Sequence, residues 1–179
     1  MDICIYGASS DEIDESYKEA AFAVGKMLAV HDCGMVFGAG MTGLMGAAYR
    51  GFTSVSHKGE LIAVSPKFFN REGVLIEDDS RIIWTDTMRE RKQIMEEHAD
   101  AFIVLPGGIG TMDEFFEIFT LKQLGRHDKP VVLLNHDGYY DDIKAFLRNA
   151  VEKGFMMDRH AELCSFADNA EEVWKCLKK

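Results

Sequence analysis

Short apolar runs alternate with helical stretches along the whole chain, and this alternation is what most restricts its fold. Strand candidates are Ile3–Tyr6, Met35–Phe37, Leu61–Val64, Arg81–Thr85, Ala101–Leu105 and Val131–Leu134, with a weaker one at Leu163–Phe166. Most are continuous apolar runs, the pattern of strands buried on both faces. Between them, apolar residues fall at helical spacing. Ile13, Tyr17, Ala20, Ala21, Val24 and Leu28 form one such stripe. Met88, Arg91, Met95 and Ala99 form a second, and Met112, Phe116 and Phe119 a third. Two more helices are predicted over Tyr139–Lys153 and Ala170–Leu177. Strand and helix in alternation predict an α/β fold, a parallel sheet covered by helices on both faces in three layers.

The 179 residues suit one domain spanning 1–179, with 47% hydrophobic residues to fill its core. No linker or internal repeat divides them, and Pro66, Pro106 and Pro130 sit at element edges. No apolar run approaches the roughly 18 residues of a membrane span. The start, "MDICIYG", has no basic segment or long apolar core of a signal peptide. The expectation is a cytoplasmic protein with no membrane partner. A net charge of −10 argues against nucleic-acid binding, which relies on cationic side chains. It leaves room for a small anionic ligand in a locally positive pocket. Cys4, Cys33, Cys164 and Cys176 form no C-x-x-C pair and read as reduced, mostly buried thiols. The six histidines show no metal-ligand spacing, so no metal site is expected.

In an open parallel sheet, ligands bind beyond the carboxyl ends of the strands, so the strand-to-helix loops hold the candidate site. "YGASS" (Tyr6–Ser10) follows the first strand. Its small residues admit a ligand to the backbone, and Ser9 and Ser10 add hydroxyls near a helix start, unless this is an ordinary N-cap turn. "FGAGMTGLMGAAYRG" (Phe37–Gly51) contains Gly38-x-Gly40-x-x-Gly43, a match to the dinucleotide fingerprint. It follows the second strand, and no acidic residue ends the next strand at "LIAVSP". Phosphate cradling by amides therefore fits better than NAD binding, with a structural glycine turn as the alternative.

The third loop is "LPGGIGTMDE" (Leu105–Glu114). Pro106 ends the strand, and Gly107, Gly108 and Gly110 permit positive φ and close ligand approach. Thr111 and Glu114 fit a capping box, or else Glu114 is a carboxylate at the mouth of the sheet. The missing G-K-[ST] ending excludes a Walker A loop. Arg91 shares a helix face with Met88 and Met95, and a guanidinium in a methionine stripe points to bidentate contact with a phosphate or carboxylate.

"RKQIM" followed by "LPGGIGTMDE" resembles the paired R-K-x-x-M and P-G-G-x-G-T-x-x-E motifs of the LOG (Lonely Guy) family, whose relatives were often labelled lysine decarboxylases. "IYGASS", "VFGAGMTGLMGAA", "QLGRHDKPVVLLNHDGYYDDI" and "VEKGF" extend the resemblance over nearly the whole chain. It implies a Rossmann-like nucleotide-binding domain, usually homodimeric and without a cofactor. The activity implied is hydrolysis of the N-glycosidic bond of a nucleoside 5′-monophosphate, giving a free base and ribose 5-phosphate. Carried over by position, Arg91 and Glu114 are catalytic. Ser9, Ser10, Gly38, Gly40, Gly43, Met88, Lys92, Pro106, Gly107, Gly108, Gly110, Thr111 and Glu117 are the candidates for substrate and phosphate binding. Glu117, one turn beyond Glu114, either assists or is merely solvated. Gly7, Ala8, Ala39 and Ile109 depart from the pattern, Ala39 replacing the middle glycine of a triple-glycine run and Ile109 a common tyrosine.

Two other readings stand beside this one. A fold of this kind can carry a nucleotide or the molybdenum cofactor without hydrolysis. A pyridoxal-phosphate lysine decarboxylase would need a Schiff-base lysine, and neither Lys92 nor Lys129 sits in such a context.

Overall fold

The structure is a computed structural model and describes residues 1–70, 73–76 and 81–178. Seven strands form one sheet: β1 (Asp2–Tyr6), β2 (Gly34–Phe37), β3 (Leu61–Pro66), β4 (Ile82–Thr85), β5 (Ala101–Val104), β6 (Val131–Leu134) and β7 (Ser165–Ala167). Their order is β4-β3-β2-β1-β5-β6-β7, and every pairing is parallel. The helices are α1 (Glu15–Val30), α2 (Gly43–Thr53), α3 (Met88–His98), α4 (Ile109–Gln123), α5 (Asp141–Glu152), α6 (Asp158–Ala161) and α7 (Ala170–Leu177).

Alternation along the strands builds two cores. In β1, Ile3 and Ile5 join a cluster with Leu28 of α1, Leu44 of α2 and Val173 of α7. Cys4 and Tyr6 face the other way, among Met95 of α3, Phe115 of α4 and Leu147 of α5. Residues of the central strands therefore meet apolar neighbours whichever way they point, which is why those runs are continuously apolar.

The chain winds outward from β1 to β4, then returns to the other side of β1 and winds out to β7. Tyr6 at the end of β1 lies beside Val104 at the end of β5. The loops after these two strands diverge to opposite faces, and the gap between them is the switch-point crevice of an open α/β sheet.

The predicted elements are all present, with shifted ends. β4 starts at Ile82 and β5 stops at Val104. β7 starts two residues later than predicted, and Asn135 N donates to Ala167 O at its end. Tyr139 and Tyr140 precede α5 instead of opening it, and α6 had no sequence signal. Among the described residues no helix is long and apolar enough to cross a membrane.

Candidate active site

Two neighbouring elements, α3 and α4, supply the charged centre of the crevice. A capping box starts α3: Thr87 Oγ1 accepts from Glu90 N, and Glu90 Oε2 accepts from Thr87 N. This fixes the first turn, so Met88 stands at the crevice and Arg91 one turn on points inward. Arg91 is 5% exposed and Glu114 is 8% exposed. Arg91 Nη1 donates to Glu114 Oε1 at 2.6 Å, and its Nε donates to Val64 O at 3.2 Å. The guanidinium also lies against Gly38, where a Cβ would come within 1.9 Å of Nη2. A side chain at Gly38 would therefore have to displace the guanidinium. Burial pushes the Glu114 carboxyl above its ordinary value, against the opposing pull of Arg91.

Around this pair lies a cleft of about 390 Å³. Met88, Arg91, Thr111 and Glu114 line it, with Gly108 and Gly110 of the third loop and Ser9 and Ser10 of the first. Gly7, Ala8, Met45, Phe69 and Asp113 also line it; the first three and Asp113 lie within the three candidate loops but are not among the candidate site residues, and Phe69 had no sequence signal. A second, apolar compartment of about 240 Å³ shares Ala8, Ser10 and Gly108 with the cleft. Pro106, Gly107, Ile13, Tyr17, Leu44 and Tyr139 complete it. A larger cavity of about 590 Å³, between α5, α6 and β7, shares no lining residue with either.

Several expectations are corrected here. Glu114 does not cap α4. The helix begins earlier, with Gly108 as N-cap and no side-chain cap bond, and Thr111 is a buried first-turn residue packed on Gly107. Gly107, Gly108 and Gly110 do not use positive φ. A Cβ on Gly107 would meet Thr111 Oγ1 at 2.1 Å, whereas a Cβ on Gly108 or Gly110 would meet nothing within 4 Å. The last two glycines keep space open in front of amides that have no intrahelical partner.

At the end of the second loop, the first amides of α2 are already engaged. Gly43 N donates to Asp11 Oδ1 at 2.8 Å, and Leu44 N donates to Ala8 O at 2.9 Å. The first loop therefore fills the N-terminus of α2 with its own carboxylate and carbonyl. Gly43 has φ +59°, and its Cβ would meet Ala8 O at 2.5 Å. Gly40 pairs with Leu75 in an isolated bridge. None of Gly38, Gly40 and Gly43 lines the cleft. Ala39 holds φ +62°, a left-handed conformation that suits glycine and costs other residues about 1–2 kcal/mol. Ser9 and Ser10 line the cleft but do not start α1, which opens at Glu15 with Asp14 as its cap.

Lys92 and Glu117 also lie outside the cleft. Lys92 Nζ bridges Asp113 at 3.0 Å and Glu117, tying α3 to α4 beside the Arg91–Glu114 pair. Burial pulls the Lys92 ammonium down, but its bonds to Glu117 and Asp113 outweigh this and hold it above the ordinary lysine value. Lys129 is likewise engaged, donating to Glu96 O at 2.8 Å. Among the described residues, no group of three or more His, Cys, Asp or Glu is placed to hold a metal.

Residues 45–177 match the protein family described as possible lysine decarboxylase. Over 179 residues the chain is 38% identical to the probable cytokinin riboside 5′-monophosphate phosphoribohydrolase LOG6 of Arabidopsis thaliana, covering 99% of this chain and 87% of that one. It is also 38% identical to the cytokinin riboside 5′-monophosphate phosphoribohydrolase LOG4 of the same plant, covering 99% and 81%. Among solved structures, the molybdenum cofactor carrier protein of Chlamydomonas reinhardtii superposes with a TM-score of 0.73 at 23% identity, covering 99% of this chain and 98% of that one. The molybdenum cofactor binding protein of Rippkaea orientalis gives 0.72 at 19% identity, covering 99% and 94%. At these identities the structural likeness shows the fold alone.

Proposed function

This chain belongs to the LOG family of cytokinin riboside 5′-monophosphate phosphoribohydrolases, and from that premise we propose that it hydrolyses the N-glycosidic bond of a purine nucleoside 5′-monophosphate. The observation that carries the reading is the Arg91–Glu114 pair, buried at 2.6 Å in the switch-point cleft beside the uncapped start of α4.

Each part then has a role. The first-turn amides of α4 and the positive end of its dipole hold the 5′-phosphate, with Ser9 and Ser10 across the cleft. Glu114 stands near the ribose, where positive charge builds as the C1′–N9 bond breaks, and it stabilises that charge and orients a water. The water oxygen bonds to C1′ as the base departs, and the base takes up a proton. Arg91 holds the Glu114 carboxylate in place. Its bonds to Val64 O and Glu114 use its Nε–H and one Nη1–H, and the guanidinium also lines the cleft.

The environments of Lys92 and Lys129 do not support a decarboxylase working through a lysine Schiff base, because that chemistry needs a neutral amine and Lys92 is held charged. A cytoplasmic homodimer belongs to the same proposal. The exposed Phe146 and Phe155 are apolar surface that a second copy would cover.

The test is to incubate the protein with AMP and with isopentenyladenosine monophosphate and to measure free base, then to repeat with Glu114→Ala. Base release by the wild type and its loss in the variant are expected. Equal rates in both remove Glu114 from the chemistry. Tight nucleotide binding without base release replaces the hydrolase with a carrier.

A further inference from the structure

Carbonyl oxygens are the wrong sign for an anion, and the third loop has three in succession before α4. Each one already accepts from a donor of the protein. Leu105 O accepts from the Tyr140 hydroxyl at 2.6 Å, Pro106 O from Ala8 N at 3.1 Å, and Gly107 O from the Tyr139 hydroxyl at 2.9 Å. A peptide unit is planar and trans, so its N–H points opposite to its C=O, and no cis bond occurs among the described residues. Holding the Gly107 carbonyl toward Tyr139, in the apolar compartment, turns the Gly108 N–H to the other side of the loop. That is the side on which α4 begins and the cleft opens.

The two phenols are themselves fixed. Asn135 Oδ1 accepts from Tyr140 N at 2.7 Å, and Asn135 Nδ2 donates to Asp141 at 3.0 Å. The Tyr17 ring packs edge-on against Tyr139 at 5.9 Å. The turn after β6 is thereby a rigid support for a loop 32 and 35 residues away in sequence.

We propose that Tyr139 is a positioning residue for the phosphate-binding amides: its hydroxyl, by holding the Gly107 carbonyl, aims the Gly108 N–H into the cleft. The inference rests on the reading that the start of α4 holds the 5′-phosphate. Tyr140 supplies an internal control. Its acceptor, Leu105 O, belongs to the peptide unit of Pro106, whose nitrogen carries no hydrogen. The same atom deleted one residue along aims no donor.

The experiment measures ribose 5-phosphate affinity by calorimetry, together with thermal midpoints, for the wild type, Tyr139→Phe and Tyr140→Phe. Tyr139→Phe is expected to weaken ribose 5-phosphate binding on the order of five- to tenfold, the scale of one hydrogen bond, with its midpoint near that of the wild type. Tyr140→Phe, buried at 1% exposure, is expected to lower the midpoint and leave the affinity unchanged. The proposal is overturned if Tyr139→Phe binds as the wild type does, if it unfolds or loses its midpoint along with affinity, or if Tyr140→Phe weakens binding equally. A wild-type protein that does not bind ribose 5-phosphate overturns the phosphate site itself. Wild-type binding that Tyr139→Phe leaves intact removes only the role of the tyrosine.

Discussion

Replacing Arg91 with methionine takes away one half of a buried ion pair and leaves the other half in place. Glu114 keeps its burial, at 8% exposed, and loses its 2.6 Å donor. Val64 O loses its 3.2 Å donor at the same time. Breaking a buried pair from one side costs about 3–5 kcal/mol, which for a chain of this length is roughly 6–20 °C in midpoint. Methionine fills much of the vacated volume, so the loss reports charge more than a cavity.

The sign of the pH dependence separates the two causes. Burial already holds the Glu114 carboxyl above its ordinary 4.5, against the pull of Arg91. Without Arg91 it moves further up. A carboxyl whose folded pKa exceeds its unfolded pKa binds more protons folded than unfolded in the interval between the two. Stability then falls as pH rises through that interval, and the penalty disappears below the unfolded value. Urea unfolding of both proteins at about pH 5 and about pH 8 is the assay. The difference between variant and wild type should be several-fold smaller at the lower pH. A loss of equal size at both would refute the charge argument and assign the cost to packing.

Gly43→Ala should cost about 3 kcal/mol by denaturant midpoint, since φ is +59° and the new Cβ would meet Ala8 O at 2.5 Å. An unchanged midpoint would mean that the first loop is not packed on α2. Gly107→Ala and Gly108→Ala form a contrasting pair. The first drives a Cβ to 2.1 Å from Thr111 Oγ1 and should lower the thermal midpoint. The second meets nothing within 4 Å, so it should leave the midpoint near the wild-type value and raise KM for the nucleotide by crowding the amides. Swapped phenotypes would reverse the structural and binding roles given to the two glycines.

The strands were legible because a parallel sheet buries both faces. Runs such as Ala101–Val104 declare themselves by composition alone. Arg91 was legible for the opposite reason, a charge inside an apolar stripe. Where local rules competed with long-range ones, the local reading went astray. "TMDE" satisfies the capping-box pattern, yet α4 starts two residues before Thr111, and Glu114 turns to an arginine 23 residues upstream. "FGAGMTG" satisfies a phosphate-loop pattern, yet the first amides of the helix it opens, Gly43 N and Leu44 N, are taken by Asp11 and Ala8, from a loop 32 or more residues earlier. Lys92 and Glu117 looked like site residues by proximity in sequence and are a cross-brace between helices.

The sequence by itself determined the α/β class, the order of its elements, and the two helices that carry Arg91 and Glu114. These follow from periodicity and residue type, which are properties of neighbours along the chain. Which glycine loop leaves its helix start open was decided only in the folded molecule. Two helix N-termini of similar composition meet the crevice, and one is filled by the first loop while the other stays open. The tyrosines that hold two of the carbonyls before that open end come from the turn after β6. A helix N-terminus binds an anion only if no internal acceptor reaches it first, and which acceptor reaches it depends on distances across the fold that no local pattern encodes.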